Sequence, residues 1–414
     1  MRKTLLFGLI SILAFFRCAE KEIEIPEFQQ EIVPGTNLTE IELYDKILGM
    51  MVGSAIGDAM GAPTEMWSRE QIQSTYGFVV DLDSMVREAS PEGTWLPDLP
   101  AGGTTDDTRW KILTARFLQT QSKNTLDPKD FAAHISKQYT NYVQTYEQIE
   151  NPDSIVLMEM DLRLNWLSEW HKVSGPFIRN DLTAYADSLG KFYGGEMVCA
   201  GLLYTPTLGV FFPGHPEKAY TEAFKLSIYD IGYAKDISAL AAAMSSAAMS
   251  KTATTDSLKA SLEVDPYAYT KSRLVGRSAA VWVREAERIA LESRSIDSLG
   301  DRMSSESEAL NFAFTELDKK LQDMPFHAGE IFLQTLTAMF YSDFDLIGTL
   351  TFLTNYGRDN DTTAALAGGI LGAYVGFDAL PEKEKNQVLT IAKLYLDQDL
   401  EREAALLTVH IIKP

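Results

Sequence analysis

The sequence predicts an all-α protein with a single large domain that covers residues 39–414. Segments such as LYDKILGMMVGSAIGDAMG, ISALAAAMSSAAMSK and EIFLQTLTAMFY have apolar residues at helical spacing or continuous Ala, Leu and Met content. Alternating strand patterns are scarce. The FVVDLD stretch is the one place where a short strand stays an alternative to helix or loop. Clear internal repeats and low-complexity tracts are absent from the sequence, so nothing in it requires a second domain.

Composition and charge narrow the possible functions. A chain of 414 residues is long enough to bury a sizeable core, and 45% hydrophobic with 23% charged residues is typical of a globular protein. The formal net charge is -21, from 58 acidic and 37 basic residues. Nucleic-acid binding needs clustered Lys and Arg, so this balance argues against nucleic acid as a partner. An anionic ligand needs a local attraction such as a metal ion.

Residues 1–18 are typical of an export signal. MRK supplies a positive start, LLFGLISILAFF an apolar run too short to span a membrane comfortably, and Cys18 follows Arg17. This arrangement resembles a bacterial lipoprotein signal, in which Cys18 becomes the lipidated first residue. The protein is then expected in the periplasm or cell envelope, with a lipid anchor as its only membrane contact. Arg17 stands where such signals usually carry a small residue, so a plain signal peptide or uncleaved anchor stays open.

The next segment, residues 19–38, is predicted to be a tether. It is acidic, carries Pro26 and Pro34, and lacks sustained periodicity. Apart from Cys18 the sequence contains one cysteine, Cys199, so the domain has no internal disulfide and Cys199 is expected to be a free buried thiol.

Two predicted helices share an unusual stripe of small residues. Glycine costs about 1 kcal/mol relative to alanine inside a helix, so a repeated stripe indicates that backbones approach closely there. Acids beside both segments favour a buried contact within a globular core over a membrane helix contact. The stripes repeat every fourth residue, as Gly49, Gly53, Gly57 and Gly61 in the first helix and as Ala364, Gly368, Gly372 and Gly376 in the last.

Three acidic groups lie beside predicted helix ends, namely GDAMGAPTE with Asp58 and Glu65, TTDDT at residues 104–108, and DNDTT at residues 359–363. Thr and Asp are favoured helix caps, and acids are stabilised in a first helical turn, so either of the last two groups alone is more often a cap than a site. The three together favour another role, because paired acids with flanking threonine hydroxyls form the ligand set of a hard divalent cation.

Electrostatics supports a cation. Two carboxylates about 4 Å apart repel by about 4 kcal/mol at an effective dielectric constant near 20, so a cluster of acids would protonate or separate without a positive charge between them. Mg²⁺ or Mn²⁺ fits better than zinc, because the five histidines are scattered and have no ligand spacing. The sequence contains no phosphate-loop or dinucleotide-binding fingerprint.

These residues resemble a known family. The pattern GxxxGDxxGxxxE at residues 53–65, TDDT at residues 105–108 and GRDNDTTAALAGGILGAYVG at residues 357–376 are similar to the three signature segments of the ADP-ribosylglycohydrolases, the relatives of dinitrogenase-reductase-activating glycohydrolase. The segments occur in family order, and the resemblance spans residues 39 to about 380.

The resemblance implies an orthogonally packed all-α domain with a binuclear Mg²⁺ or Mn²⁺ centre that cleaves the glycosidic bond between ADP-ribose and an acceptor. It implies a catalytic role for Glu65, and we expect a structural or supporting role for Asp58. The metal ligands that it implies are Thr105, Asp106, Asp107, Asp359, Asp361 and Thr362.

Two glycine pairs are candidate phosphate-binding turns. Backbone amides at Gly102 and Gly103, or at Gly194 and Gly195, can face a phosphate, but ordinary tight turns explain both pairs as well.

Departures from the family pattern affect the expected substrate. Thr104 stands where many relatives carry Trp, and the middle segment GGEMVCAGLLYTPTLG lacks the arginine that relatives often have. Two hypotheses therefore remain: a metal-dependent hydrolase of ADP-ribosyl or related ribosyl compounds, small or attached to protein, and a non-catalytic exported protein that captures a ribosyl ligand or a partner protein. The sequence leaves the oligomeric state open.

Overall fold

The computed structural model describes residues 26–122, 125–296 and 302–413. Within these ranges it contains seventeen α-helices and no β-strand, so the predicted all-α class is confirmed. The helices are α1 (Glu40–Gly61), α2 (Arg69–Thr75), α3 (Asp106–Leu118), α4 (Pro128–Tyr146), α5 (Ser154–Ile178), α6 (Leu182–Lys191), α7 (Thr205–Val210), α8 (Pro216–Leu226), α9 (Ala234–Ala248), α10 (Thr255–Ser261), α11 (Ser278–Arg294), α12 (Glu308–Asp318), α13 (Ala328–Tyr341), α14 (Leu346–Tyr356), α15 (Asn360–Val375), α16 (Glu382–Tyr395) and α17 (Leu400–Ile412).

Helix α1 begins and ends at clear local signals. The Thr39 side chain accepts a hydrogen bond from the Glu42 amide, and the Glu42 side chain accepts one from the Thr39 amide, which is a capping box. The helix ends at Gly61, and a short 3₁₀ turn (Ala62–Thr64) that contains Pro63 follows. Every residue from Ile47 to Gly61 is buried, so α1 is a central core helix.

The two small-residue stripes pack against each other, which supplies the close backbone approach that the sequence predicts for each of them. Helices α1 and α15 form the most extensive helix contact of the described structure. A Cβ atom on Gly53 would lie 2.9 Å from the Gly372 Cα, and one on Gly368 would lie 2.9 Å from the Gly53 carbonyl carbon. Neither distance leaves room for a methyl group, so the glycines are needed for the backbones to approach.

Part of the predicted tether packs on the domain. Val33 and Leu38 are buried, Ile32 forms an isolated antiparallel bridge with Thr39, and the Gly35 carbonyl lies 2.9 Å from Nε2 of His215. The described part of the tether therefore contacts the domain through Val33, Gly35 and Leu38, and residues 1–25 lie outside the described part.

The FVVDLD stretch is not a strand. The Val79 amide donates to Oδ1 of Asn355 at 2.9 Å, and Nδ2 of Asn355 donates to the Val79 carbonyl at 2.7 Å. A side-chain amide on α14 thus supplies the partners that a neighbouring strand would have supplied.

Candidate metal centre

The backbone of two loops brings the end of α1 beside the start of α15. The Met66 amide donates to the Arg358 carbonyl at 2.6 Å, and the Arg358 amide donates to the Trp67 carbonyl at 3.2 Å. These bonds tie the residue after Glu65 to the residue before Asp359. The two carboxylates are therefore placed by backbone contacts between segments far apart in the sequence.

Gly357 is required at this junction for two reasons. Its φ of 85° lies in the left-handed region, and a Cβ atom there would be 2.5 Å from the Trp67 carbonyl oxygen. Arg358 is also left-handed, with a φ of 64°, and its guanidinium Nε donates to Oε1 of buried Glu330 at 2.8 Å. This ion pair holds the turn that leads into α15.

Three carboxyl groups converge at this place. Glu65, Asp359 and Asp361 each offer an oxygen atom, and these oxygens all lie within 4.8 Å of one another. The three residues are only 7%, 3% and 2% exposed. Oε2 of Glu65 and Oδ1 of Asp361 are buried and have no hydrogen-bond partner among the described residues. Buried oxygens without donors are costly unless a ligand satisfies them, so these atoms indicate a site for a cation.

Asp58 organises the start of α3. Its Oδ1 accepts from the Thr105 amide at 2.9 Å, and its Oδ2 accepts from both the amide and the hydroxyl of Thr108 at 3.0 and 2.6 Å. Asp58 is fully buried, so its carboxylate links the end of α1 to the first turn of α3. Its oxygens are thus already occupied, which agrees with the expected supporting role.

Two threonine hydroxyls connect the TDDT segment to α15. Oγ1 of Thr105 donates to Oδ2 of Asp361 at 3.1 Å, and Oγ1 of Thr362 donates to Oδ2 of Asp107 at 3.0 Å. The structure therefore brings these four predicted ligands together with Asp359 and Glu65. Asp106, in the first turn of α3, is half-buried.

Helix capping explains only part of this pattern. Oγ1 of Thr105 accepts from the Asp107 amide at 3.2 Å, so the TDDT segment does cap α3. Asp359 occupies the corresponding position before α15, but its side chain makes no capping hydrogen bond. A cap alone therefore does not account for Asp359.

The three converging carboxyl groups bind protons more tightly than usual. Burial is the main cause that raises the pKa of Glu65 well above its ordinary value, and the charge of Asp361 adds to it. Burial likewise raises the pKa of Asp359, with a further contribution from Glu65, and that of Asp361, with a further contribution from Asp359. A cation between the groups would remove both the burial penalty and the mutual repulsion.

The pKa values of two acids beside this cluster are raised by a smaller amount. Burial, followed by the charge of Asp107, raises the pKa of Asp58 to about 7. Burial also raises the pKa of Asp106 to about 7, against the opposing effect of the Arg109 guanidinium.

The donor set fits a hard divalent cation. Every ligand atom offered by the converging residues is a carboxylate oxygen, and threonine hydroxyls lie beside them. Mg²⁺ and Mn²⁺ prefer such oxygen ligands, whereas zinc sites favour histidine and cysteine. Cys199 is free and buried, and burial, followed by the charge of Asp359, raises the pKa of its thiol well above the ordinary value.

Some residues at the site were not identified from the sequence. Nζ of Lys111, on α3, donates to Oδ1 of Asp107 at 2.8 Å, and NH1 of Arg87 lies 4.0 Å from Oε2 of Glu65. Lys111 follows Asp107 by four residues, a spacing that predicts an ion pair on one face of a helix. Arg87 lies in a loop, and no sequence motif marks it. Nδ2 of Asn360 donates to Oγ1 of Thr64 at 2.8 Å, so Asn360 supports the turn after α1.

The glycine pairs differ in their surroundings. Gly102 and Gly103 are buried, and a Cβ atom on Gly103 would lie 2.5 Å from the Leu99 side chain, so packing accounts for this turn. Gly194 is exposed with open space around it, and both Gly194 and Gly195 have left-handed φ angles, of 73° and 84°. Tight-turn geometry accounts for the second pair, and a phosphate-binding role for either pair stays a prediction.

The N-terminal predictions fall outside the described residues, Cys18 among them. Within the described ranges, no helix combines the length and the apolar character needed to cross a membrane.

Among protein families the match covers most of the chain, whereas the matches to two curated proteins cover about a quarter of it. Residues 39–410 match the family model for ADP-ribosylglycohydrolase. The chain is 33% identical over 99 residues to the ADP-ribosyl-dinitrogen reductase glycohydrolase of Rhodospirillum rubrum, which covers 24% of this chain and 30% of that protein. It is 35% identical over 96 residues to an uncharacterized protein of Archaeoglobus fulgidus, which covers 23% of this chain and 28% of that protein. In both matches the chain spans less than a third of the curated relative.

A solved structure described as an ADP-ribosylglycohydrolase-related protein complex resembles this fold. The TM-score is 0.50 at 18% sequence identity, over 89% of this chain and 99% of the other. The similarity confirms the predicted fold type.

Proposed function

Since its residues 39–410 match the family model, the chain belongs to the ADP-ribosylglycohydrolase family, and on this premise we propose that it is a divalent-cation-dependent hydrolase of ADP-ribosyl or related ribosyl compounds. The reaction breaks the bond between the anomeric carbon of the ribose and its acceptor. Water supplies the hydroxyl group for the anomeric carbon and the proton for the departing acceptor.

One observation carries this proposal. Glu65, Asp359 and Asp361 present buried oxygens within 4.8 Å of one another, and two of these side chains each have an oxygen without a hydrogen-bond donor. A scaffold without catalysis has no need for three repelling carboxyl groups in its core, because replacing them with apolar residues would remove the repulsion at little cost.

The cation, when bound at these residues, supplies Lewis-acid polarisation and charge neutralisation. Glu65 is the residue we assign to proton transfer, because its carboxyl group lies at the site and burial raises its pKa well above the ordinary value; one of its two oxygens would face the cation, and the other would be left for the proton. Asp58 holds the start of α3 in place through three hydrogen bonds and is a positioning residue. Asp359 and Asp361 hold the cation from the start of α15.

The charge of the protein agrees with a cation-assisted site. At a net charge of -21 the protein repels an anionic pyrophosphate at long range, so such a substrate needs positive charge at the site itself. Arg87 approaches Glu65 to 4.0 Å and stacks over the Trp95 ring at 4.0 Å, which fixes one positive charge beside the acids.

A substrate screen tests the proposal. The purified protein would be incubated with Mg²⁺ or Mn²⁺ and with ADP-ribosyl-arginine, ADP-ribosyl-serine, O-acetyl-ADP-ribose and simple nucleosides, and release of ADP-ribose or ribose would be measured by chromatography. We expect cation-dependent release from at least one compound. Asp187→Ala is a matched control, because Asp187 is an exposed acid on α6 that pairs with Lys191.

The outcomes separate the two hypotheses. Failure to bind any divalent cation at millimolar concentration refutes the hydrolase. Cation and ligand binding without hydrolysis of any compound would instead favour the non-catalytic binding protein. Export through residues 1–18, with or without a lipid on Cys18, belongs to the same proposal, and mass spectrometry of the mature N-terminus tests it.

A further inference from the structure

A buried lysine sits inside the predicted metal-ligand set. Lys111 is only 1% exposed, and its ammonium group donates to Oδ1 of Asp107, which is 2% exposed, at 2.8 Å. Lysine is rarely buried to this extent unless it is paired with an acid. Asp107 is the only hydrogen-bond acceptor of Lys111 among the described residues. The pair therefore belongs to the site, although Lys111 is absent from the ligand set that the family resemblance implies.

Both oxygens of Asp107 are already occupied. Oδ1 accepts from Lys111, and Oδ2 accepts from Oγ1 of Thr362 at 3.0 Å. Glu65 and Asp361 differ from Asp107, because each has an oxygen with no donor. Glu65 and Asp361 therefore each offer an oxygen for which no donor competes, whereas a cation at Asp107 would have to share its oxygens with Lys111 and Thr362.

Charge balance points the same way. Lys111 neutralises Asp107, which leaves the three negative charges of Glu65, Asp359 and Asp361 beside the Arg87 guanidinium. One divalent cation balances the charges of this group of four side chains. Two further acids lie around it: Asp58, whose oxygens accept three hydrogen bonds, and Asp106, whose charge the Arg109 guanidinium opposes. A second cation at Asp107 would stand next to a buried ammonium group that has no other acceptor among the described residues, and repulsion between like charges is strong where water is excluded.

We propose that Lys111 takes the place of one of the two cations implied by the family resemblance, so that each chain binds one divalent cation, at Glu65, Asp359 and Asp361. This inference rests on the proposed function, because it assumes that a cation binds at the site. It adds how many ions bind and which residue sets that number. Asp107 is then the partner of Lys111 and is not a ligand of the bound ion.

Metal stoichiometry tests this inference without an activity assay. The purified full chain would be stripped with a chelator and dialysed against saturating Mn²⁺, and bound Mn²⁺ per chain would be measured by elemental analysis. Electron paramagnetic resonance would show whether the ions are coupled in pairs. We expect one Mn²⁺ per wild-type chain with the spectrum of an isolated ion.

Variants of the lysine identify its role. Lys111→Met keeps a chain of similar length and removes the charge, so we expect it to bind a second Mn²⁺ and to show a coupled spectrum. Lys385→Met is the matched control, because Lys385 is also buried and paired with an acid on its own helix, Glu382, but lies on α16. This control should keep one ion per chain.

A double variant keeps the test decisive if Lys111→Met does not fold. Asp107→Asn combined with Lys111→Met removes both members of the buried pair and so leaves no unpaired charge. We expect it to bind one Mn²⁺ with an affinity within about threefold of wild type, because Asp107 is not a ligand. Loss of the ion in this variant overturns the proposal.

The number of Mn²⁺ ions bound by the wild-type chain distinguishes failure of this inference from failure of the proposed function. Two Mn²⁺ per wild-type chain overturn the inference and leave the proposed function standing. Absence of bound Mn²⁺ overturns both. One ion in the wild type and one in folded Lys111→Met overturns the role of Lys111.

Discussion

Replacing Gly57 with alanine tests whether the close contact of α1 and α15 supports the acidic site. A Cβ atom at Gly57 would lie less than 2.5 Å from the carbonyl oxygen of Ala364 and 2.9 Å from the Ala365 amide nitrogen. Non-bonded heavy atoms normally keep about 3.5 Å apart. The obstacles are backbone atoms of a buried helix, so the two helices would have to separate by at least about 1 Å.

The size of the effect follows from two opposing contributions. Overpacking a core costs about 1–3 kcal/mol, and backbone obstacles, which have no rotamer to change, place this site at the upper end. The higher helix propensity of alanine stabilises the folded protein by about 1 kcal/mol and so offsets part of this cost. We therefore expect Gly57→Ala to lower the free energy of unfolding by about 2 kcal/mol. Since Asp58 and Asp361 lie on the separating helices, the affinity for Mn²⁺ should also fall.

Urea unfolding followed by circular dichroism measures the change. The midpoint should shift to lower urea while the slope stays constant. Gly190→Ala is the matched control, because Gly190 is exposed near the end of α6 and a Cβ atom there meets nothing within 4 Å. The control should raise stability by up to about 1 kcal/mol. If Gly57→Ala is stabilised as much as Gly190→Ala, the close-approach argument is refuted.

Three further predictions concern the acids. Asp361→Ala should abolish Mn²⁺ binding in equilibrium dialysis, because it removes a ligand. Helix content should persist, because the variant has one fewer of the three carboxyl groups that repel one another. A marked loss of helicity would instead support a capping role for Asp361. Glu65→Gln keeps a carbonyl oxygen for the cation but cannot transfer a proton, so turnover should fall at least about 100-fold with unchanged metal content, and unchanged turnover would remove its assigned role. The metal-free protein should lose stability as pH rises from about 4 to 7, because folded Asp58 and Asp106, with pKa values near 7, retain protons that the unfolded chain releases near pH 4. Thermal unfolding in excess chelator measures this dependence, and a melting temperature that rises over the same interval contradicts it.

Much of the architecture was predictable from the sequence because its signals are local. The helical spacing of apolar residues identifies the all-α class, and the four-residue repeat at Gly53 and Gly368 marks two helices that need a close backbone partner. The acids at Asp107 and Asp361 were recognisable because each lies beside a threonine at a helix start. Such signals depend only on residues within a few positions of one another.

Only the tertiary structure decided which acids share a site and which are already paired. Backbone bonds between Met66 and Arg358 place Glu65 beside Asp359, and no local pattern specifies a contact between residues so distant in the sequence. Lys111 illustrates the same limit: its spacing from Asp107 is visible in the sequence, but an exposed pair of this kind would contribute little. Folding removes both groups from water, and the low dielectric of the core turns an ordinary helical ion pair into a fixed charge within the site.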